Sequence, residues 1–275
     1  MQFIDCKVFH ALWLTDIDNT LLPISIKRDL VHIELLGNFL RDLSYYCILV
    51  VPVTFKTLSE IEYISNLMGY EFPIVIVEGG CAIIFNHSFS GQGSAMIELC
   101  RGRQTIVKVL EAFDNPCKES VLMLTKQGAE FASKILGIPR EEAVHALKRR
   151  YTELVYSEEP KCINVLTKFV ERVGLKVVQS RKVAHLTEAL KEDAVKELLK
   201  MLLHRIAGPI IASGDSIFDR GFLELADTPI IVSKNAYEWF KRYPYISIWG
   251  DIPYDLLNCV SRILLLKPWQ ANVKF

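Results

Sequence analysis

Residues 8–20, VFHALWLTDIDNT, consist of a mostly apolar run followed by a polar stretch with two aspartates. The apolar run from Val8 to Leu14 has the length of a fully buried strand, and polar residues follow it at once. Later in the chain, similar apolar runs alternate with segments whose apolar residues recur every three or four positions, as in amphipathic helices. Alternating strands and helices predict an α/β protein with a parallel sheet covered by helices on both faces.

The predicted elements fall into two groups that enclose a different middle region. Strands are predicted at residues 8–14, 46–53, 73–77, 209–212 and 229–232. Helices are predicted near residues 31–42, 57–68, 190–203 and 253–266. The pattern changes at about residue 86, where the polar, glycine-containing stretch 88–94 indicates a linker or turn. We therefore predict a core domain formed by residues 1–85 and 186–275, and an inserted α/β domain formed by residues 86–185.

The balance of charged residues limits the partners of the protein. The 275 residues include 32 Lys plus Arg and 32 Asp plus Glu, so the formal net charge is zero. Such a chain has no electrostatic footprint for nucleic acid or an anionic membrane. The N-terminus has no signal-peptide pattern, and no apolar stretch reaches the roughly 18 residues of a membrane span. We expect a soluble, cytoplasmic protein that binds neither nucleic acid nor a membrane.

Seven cysteines are spread along the chain without a CxxC pair. An odd number at wide spacing argues against a zinc site or a redox motif. We expect buried thiols. One or two disulfides are the open alternative, because intracellular proteins of hyperthermophiles can contain them.

Four polar features lie at ends of predicted strands or at starts of helices. In an open parallel sheet, ligands bind in the crevice at the carboxyl ends of the strands. The features are Asp16 with Asp18, Thr54, Lys191, and the stretch 213–219, SGDSIFD. Each alone has a structural explanation as a cap, a turn or a solvated side chain.

Together, these residue types suit the transfer of a phosphoryl group. Asp16 can attack phosphorus, while Asp18 can protonate the leaving oxygen and later deprotonate water. A hydroxyl at Thr54 can hold a phosphoryl oxygen, and an ammonium at Lys191 can neutralise its charge. The third and fourth carboxylates, at positions 215 and 219, add the oxygen ligands that Mg²⁺ prefers.

The order DxDxT, strand-end Thr, Lys and GDSxxD resembles the motif set of the haloacid dehalogenase superfamily. Further stretches are similar to those of mannosyl-3-phosphoglycerate phosphatases, namely 54–57 (TFKT), 78–85 (EGGCAIIF), 136–139 (LGIP), 148–153 (KRRYTE) and the region of 174–181. The resemblance covers about residues 12–266. It implies a Rossmann-like haloacid dehalogenase core with an inserted α/β cap domain that selects the substrate. The implied reaction removes phosphate from mannosyl-3-phosphoglycerate through an aspartyl-phosphate and yields mannosylglycerate, a compatible solute.

The resemblance also implies a role for each matching residue. Asp16 would be the nucleophile and Asp18 the acid/base, while Thr54 and Lys191 would bind the phosphoryl group. The Mg²⁺ ligands would be Asp16, Asp215 and the main-chain carbonyl of Asp18, with Asp219 orienting them. The candidate substrate-binding residues are Lys56, Thr57, Arg149, Thr152, Glu153 and Arg181.

Four departures from the family pattern bear on the choice of substrate. One is that the glycine and aspartate usually found near the motif lysine are not present around Lys191. Gly79 replaces an asparagine, Leu58 an arginine, and Arg150 an acidic residue. One open alternative is a phosphatase of another sugar phosphate, such as glucosyl-3-phosphoglycerate or sucrose phosphate. Others are a phosphomannomutase-like enzyme and a non-catalytic sugar-phosphate-binding module. We expect a phosphorylated sugar acid as the partner, and a monomer or homodimer.

Overall fold

The computed structural model describes residues 6–23, 30–90, 93–180, 182–241, 244–250 and 252–264. The strands are β1 (Ala11–Thr15), β2 (Ile48–Pro52), β3 (Ile74–Val77), β4 (Ala82–Phe85), β5 (Ala95–Glu98), β6 (Leu122–Met123), β7 (Glu153–Tyr156), β8 (Lys176–Ser180), β9 (Val183–Thr187), β10 (Ile210–Gly214), β11 (Thr228–Val232) and β12 (Ile246–Ile248). The helices are α1 (Leu30–Tyr45), α2 (Leu58–Met68), α3 (His87–Ser90), α4 (Arg103–Glu111), α5 (Ala129–Leu136), α6 (Arg140–Ala146), α7 (Pro160–Arg172), α8 (Lys191–Leu202), α9 (Arg220–Leu223), α10 (Ala236–Trp239) and α11 (Tyr254–Ile263). Within these ranges, no helix is both long and apolar enough to cross a membrane.

A five-stranded parallel sheet with the order β12-β11-β10-β1-β2 forms the centre of the molecule. Side chains alternate along β1, so that Ala11 and Trp13 pack on one face while Leu12 and Leu14 pack on the other. Helices α1, α2 and α11 cover the first face, and α8 and α9 cover the second. Both faces are therefore buried, and the predicted α/β class is confirmed.

The order of the strands reverses at β1. The chain passes from β1 to β2 on one side, and later to β10, β11 and β12 on the other. Such a reversal leaves a crevice between the loops that follow the two central strands. Thr15 at the end of β1 is in register with Ser213 in β10, so the residues after both strands emerge at the same level.

A four-stranded antiparallel sheet, β6-β7-β9-β8, lies between the two halves of the central sheet in sequence. Helices α4 and α7 pack on it around Val155, Leu186 and neighbouring apolar side chains. We call residues 101–187 the cap. The sheet β3-β4-β5 adjoins the central sheet through an isolated bridge between Val53 and Ile76.

The domain boundaries at residues 86 and 186 stay a prediction. The sheet pairing brings one unexpected feature, because β5 lies within the predicted insertion but pairs with β4 before it. Strands β4 and β5 pair antiparallel on either side of the stretch 88–94, which agrees with a turn predicted there, whereas neither helix α3 nor strand β5 was predicted. Strand β5 has largely exposed side chains, so it lacked the apolar alternation that marks a half-buried strand.

The expectation of buried thiols is wrong for six of the cysteines. Disulfides join Cys6 to Cys47, Cys81 to Cys100 and Cys117 to Cys162, with Cα separations of 5.8, 5.0 and 5.2 Å. Among the described residues, Cys259 is the free cysteine. Spacing along the chain carries no information on such pairs, since tertiary packing brings the partners together.

Replacing both Cys117 and Cys162 with serine is expected to lower the free energy of unfolding by about 2–4 kcal/mol. This disulfide spans 45 residues, so its loss releases a long loop in the unfolded chain. Urea denaturation measures the change. The matched control is Cys259→Ser, which is expected to stay within about 0.5 kcal/mol of the unmodified protein. Equal stability of the double variant would contradict the pairing.

Candidate active site

Strands β1 and β10 bring acidic residues to one place. Asp16 directly follows β1 and is buried, while Asp215 directly follows β10 and is partly buried. Asp219 is buried at the end of a short 3₁₀ turn, Ile217–Asp219. One carboxylate oxygen from each of these residues lies within 4.8 Å of the others. Residues that are distant in sequence thus form one acidic cluster at the switch point of the sheet.

Lys191, the first residue of α8, is the cation of this cluster. Its Nζ atom lies 2.7 Å from Asp16 Oδ1 and 2.6 Å from Asp219 Oδ1. The rings of Phe55 and Phe222 flank the ammonium at 5.2 and 5.6 Å. Burial alone would lower the pKa of Lys191, but the two carboxylates outweigh it and raise this pKa. The side chain is therefore charged, as the predicted phosphoryl-binding role requires.

Asp219 fixes the loop that carries the next acidic residue. Its Oδ2 atom accepts hydrogen bonds from the main-chain N–H groups of Asp215 and Ser216 and from the Ser216 hydroxyl, at 3.0–3.1 Å. A Cβ atom at Gly214 would lie 2.5 Å from Asp219 Cβ. This close approach is the reason for a glycine there.

The acidic cluster carries more negative charge than Lys191 neutralises. Burial raises the pKa of Asp16 even though Lys191 opposes the shift, and Asp219 and Asp18 raise it further. Burial and the neighbouring Asp219 raise the pKa of Asp215 to about 7. A bound divalent cation would offset this charge, and an all-oxygen set rich in carboxylates fits a hard ion such as Mg²⁺.

The loop after β2 brings Thr54 and Lys56 to the same place. The buried Thr54 hydroxyl accepts the main-chain N–H of Lys56 at 3.2 Å. The Lys56 Nζ atom lies 2.9 Å from Asp18 Oδ1, 3.0 Å from Glu142 Oε1 and 3.6 Å from Glu60 Oε1. Three carboxylates surround this ammonium, although the resemblance predicted that Lys56 binds the substrate. Glu142, a cap residue, was not predicted, because an acidic pair at the start of a helix ordinarily faces water.

Arg149 is buried and extends from the cap toward the same cavity. Its Nη1 atom donates to the Phe55 carbonyl oxygen at 3.3 Å and to the Thr152 hydroxyl at 2.7 Å. Both acceptors are neutral. Its Nε atom is buried and has no hydrogen-bond partner in the part of the chain that the structure describes. Arg149 therefore keeps charge and hydrogen-bonding capacity for a ligand.

Three of the predicted substrate-binding residues do not line this cavity. Thr57 caps α2 in a capping box with Glu60, and its hydroxyl also donates to the His145 carbonyl oxygen at 3.0 Å. Thr152 bonds to Arg149 and thus supports a lining residue.

The third of them, Glu153, is buried under other cap residues. Its Oε2 atom accepts from Arg103 Nη1 at 2.8 Å and from the Thr125 hydroxyl at 2.6 Å. The last predicted residue, Arg181, lies outside the described residues.

Glu78 is a core residue whose contacts were not foreseen. Its φ angle is +48°, and its carboxylate accepts the main-chain N–H groups of Arg150, Tyr151 and Thr152 at 2.8–3.0 Å. The Thr152 hydroxyl donates to it as well, at 2.7 Å. Glu78 therefore ties the cap to the core next to Arg149. Its position directly after β3 and its place at the start of the family-like stretch 78–85 were the available signals.

A cavity of about 280 Å³ lies between the acidic cluster and the cap. The core contributes Asp16, Asp18, Asn19, Thr54, Phe55, Lys56, Glu60, Lys191, Asp215, Ser216 and Phe218. The cap contributes Leu136, Ile138, Ala146, Arg149, Leu154, Val178 and His185. Burial and the nearby cations lower the pKa of His185 well below its ordinary value, so its imidazole is neutral. The core side is strongly polar, and the cap side combines an apolar wall with one cation.

No family model matches the chain, but curated relatives do. The chain is 25% identical over 272 residues to a glucosyl-3-phosphoglycerate/mannosyl-3-phosphoglycerate phosphatase from Persephonella marina, with 90% of this chain and 97% of the relative covered. It is 28% identical over 263 residues to a mannosyl-3-phosphoglycerate phosphatase from Aeropyrum pernix, with 88% of each chain covered.

Solved structures share the fold along nearly the whole chain. A haloacid dehalogenase-like hydrolase from B. subtilis matches with a TM-score of 0.65 at 17% identity, covering 92% of this chain and 99% of the other. The sucrose-phosphatase from Synechocystis, solved with sucrose and phosphate, matches with a TM-score of 0.63 at 14% identity, covering 92% and 98%. The fold and relationship predicted from sequence are confirmed. The chain has the haloacid dehalogenase-like fold and is similar, over about nine-tenths of its length, to curated mannosyl-3-phosphoglycerate phosphatases.

Proposed function

We propose that the protein is a Mg²⁺-dependent phosphatase that converts mannosyl-3-phosphoglycerate to mannosylglycerate and phosphate. The observation that carries this proposal is one cavity with Lys191 among carboxylates on the core side and Arg149 on the cap side. The core side of the cavity suits a phosphate and the cap side suits a carboxylate. A phosphorylated sugar acid carries both groups. The proposed role in mannosylglycerate biosynthesis implies a cytoplasmic enzyme.

In the first proposed step, Asp16 attacks the phosphorus atom. A bond forms between its carboxylate oxygen and phosphorus, the ester P–O bond breaks, and Asp18 gives a proton to the departing alkoxide. Lys191 and the Thr54 hydroxyl hold the phosphoryl oxygens. Mg²⁺ held by Asp16, Asp215 and the Asp18 carbonyl would supply positive charge to the phosphoryl group and favour the ionised form of Asp16.

In the second step, water attacks the aspartyl-phosphate. Asp18, now ionised, takes a proton from this water as its oxygen bonds to phosphorus. The bond between phosphorus and Asp16 breaks, which restores the carboxylate and releases inorganic phosphate. The cap covers the cavity and limits access of other water molecules.

Arg149 is the proposed ligand of the substrate carboxylate. A planar guanidinium can bind a carboxylate through two N–H groups, and the unpartnered Nε atom leaves such a donor available. Lys56, which matched a family position near the substrate, is already bound by three carboxylates. The acid group is therefore assigned to Arg149 rather than to Lys56.

A phosphate-release assay across four substrates tests the proposal. The panel is mannosyl-3-phosphoglycerate, glucosyl-3-phosphoglycerate, sucrose 6-phosphate and mannose 1-phosphate. We expect the highest kcat/KM for the two glycosyl-3-phosphoglycerates, because only they present a carboxylate to Arg149. Conversion of mannose 1-phosphate to an isomer without free phosphate would indicate a mutase. Binding without turnover would indicate a non-catalytic module, and a preference for sucrose 6-phosphate would refute the assigned substrate.

The variant Arg149→Met tests the proposed contact between Arg149 and the substrate carboxylate in the same assay. Loss of a charge-assisted hydrogen-bonded pair is expected to raise KM for the carboxylate-bearing substrates by about 10–100-fold. Turnover of the two substrates without a carboxylate is expected to change little. The matched control is Arg150→Met, because Arg150 is its exposed neighbour. An equal effect of Arg149→Met on all four substrates would show that Arg149 does not bind the substrate carboxylate.

A further inference from the structure

Glu142 is a buried carboxylate on the cap helix α6. Its side chain is fully shielded from solvent, and its Oε1 atom lies 3.0 Å from Lys56 Nζ. Its neighbour Glu141 is exposed. Burying a carboxylate is unfavourable unless a cation and hydrogen bonds compensate. The contact with Lys56 therefore explains how a charged cap residue is accommodated at the edge of the cavity.

Lys56 connects this cap residue to the proposed acid/base. An ammonium has three donors, and carboxylates of Asp18, Glu142 and Glu60 surround it at 2.9, 3.0 and 3.6 Å. Asp18 and Glu60 belong to the core, whereas Glu142 belongs to the cap. The contact to Glu142 is shorter than that to Glu60. Lys56 donates a hydrogen bond to Glu142 Oε1, while Asp18 Oδ1 lies at ion-pair distance from the same ammonium, so Glu142 orients the ammonium beside Asp18.

We propose that Glu142 is a positioning residue that acts through Lys56 to hold Asp18 for proton transfer to the leaving group. Lys56 holds the Oδ1 atom of Asp18, which keeps the carboxyl group in one orientation beside the cavity. Because Glu142 stands on the cap, the acid/base is fully positioned only when the cap lies over the core. The inference rests on the proposed phosphatase function and adds a cap residue to the support of its chemistry.

The basicity of the leaving group provides a specific readout. The alkoxide of a sugar acid is strongly basic and needs a proton from Asp18 as the ester P–O bond breaks. The p-nitrophenolate ion is weakly basic and departs without that proton. A variant that misplaces Asp18 therefore slows cleavage of the first kind of ester bond and largely spares cleavage of the second. The later hydrolysis of the aspartyl-phosphate, in which Asp18 acts as the base, is common to both esters, so the comparison uses the cleavage step alone. A general loss of structure affects both alike.

Glu142→Gln tests the proposal, since glutamine keeps the shape of the side chain and removes its charge. For glycosyl-3-phosphoglycerates we expect kcat/KM, which reports the steps up to cleavage of the ester bond and not hydrolysis of the aspartyl-phosphate, to fall by about 10–100-fold, part of what general acid catalysis contributes. For p-nitrophenyl phosphate we expect kcat/KM to remain within about twofold, because departure of p-nitrophenolate needs no acid. The matched control is Glu141→Gln, which is expected to leave both rates unchanged. The ratio of the two rates does not depend on the fraction of folded variant.

A double-variant cycle checks the route through Lys56. In a Lys56→Met background, Glu142→Gln is expected to cause no further loss. Equal losses on both kinds of ester, unchanged rates on both, or a full additional loss in the Lys56→Met background would each overturn the proposal. Failure of the unmodified protein to release phosphate from any ester would instead refute the proposed phosphatase function.

Discussion

Asp16→Asn is expected to lower phosphate release by at least about 10⁴-fold, because an amide cannot form the aspartyl-phosphate. Asparagine has nearly the same shape, and Lys191 keeps its contact with Asp219 at 2.6 Å. The variant should therefore fold. Single-turnover assays with a glycosyl-3-phosphoglycerate measure the loss, and mass spectrometry of acid-quenched protein detects the covalent phosphate on the unmodified enzyme alone.

Asp42→Asn is the matched control for this variant. Asp42 lies on α1 with an exposed side chain, so the same chemical change there is expected to leave turnover intact. Circular dichroism and thermal unfolding establish that both variants are folded. Normal phosphate release by a folded Asp16→Asn variant would contradict the assignment of the nucleophile.

Removal of divalent metal is expected to abolish turnover, and added Mg²⁺ is expected to restore it. Without a cation, burial and neighbouring carboxylates raise the pKa of Asp16, which favours its protonated form, and that form cannot attack phosphorus. Dialysis against EDTA followed by titration with Mg²⁺ measures both effects. Full activity in excess EDTA would contradict the metal requirement.

Thermal unfolding gives a second readout of the same site that does not depend on activity. Burial and Asp219 raise the pKa of Asp215 from 3.8 to about 7 in the folded protein. Between pH 3.8 and about 7, Asp215 keeps a proton in the folded protein that it has lost in the unfolded chain. The contribution of Asp215 to the free energy of unfolding of the metal-free protein therefore falls as the pH rises through this interval to about 7. Mg²⁺ binds the ionised carboxylates, so we expect it to raise Tm more at about pH 7.5 than at about pH 5.

The central sheet was predictable because its strands are buried on both faces. Strands of this kind are continuous apolar runs, and β1, β2 and β10 were located to within a few residues. The same argument located the acidic cluster, since parallel strands carry the residues after them to one edge. The positions of Asp16 and Asp215 thus follow from periodicity and from one rule of sheet topology.

The contacts between core and cap were not predictable in this way. Glu78 and Glu142 each hold a partner from the other part of the molecule, more than 70 and 80 residues away in sequence. Nothing in local periodicity distinguishes a glutamate that faces a buried lysine from one that faces water. The disulfides were not predicted for the same reason. Like the contacts between core and cap, they depend on tertiary packing rather than on residues that are neighbours in sequence.

Assigning roles within a recognised motif also needed the structure. Thr57 satisfied the rule for a helix cap and matched a family position near the substrate, but its bonds go to the backbone of α2 and of the cap. Lys56 was expected to meet the substrate, yet carboxylates occupy its ammonium. A match in sequence pointed to these residues but could not say which neighbouring groups their side chains would bind.

The close approach of Gly80 to the residue before Lys191 limits which positions around the active site can change. A Cβ atom there would lie 2.2 Å from the carbonyl oxygen of Leu190, the residue before Lys191, so no other side chain fits without moving the backbone. Leu136 and Val178, by contrast, line the cavity from the apolar wall of the cap. Substitutions at these two positions are therefore expected to change the space offered to the substrate while the backbone next to Lys191 stays in place.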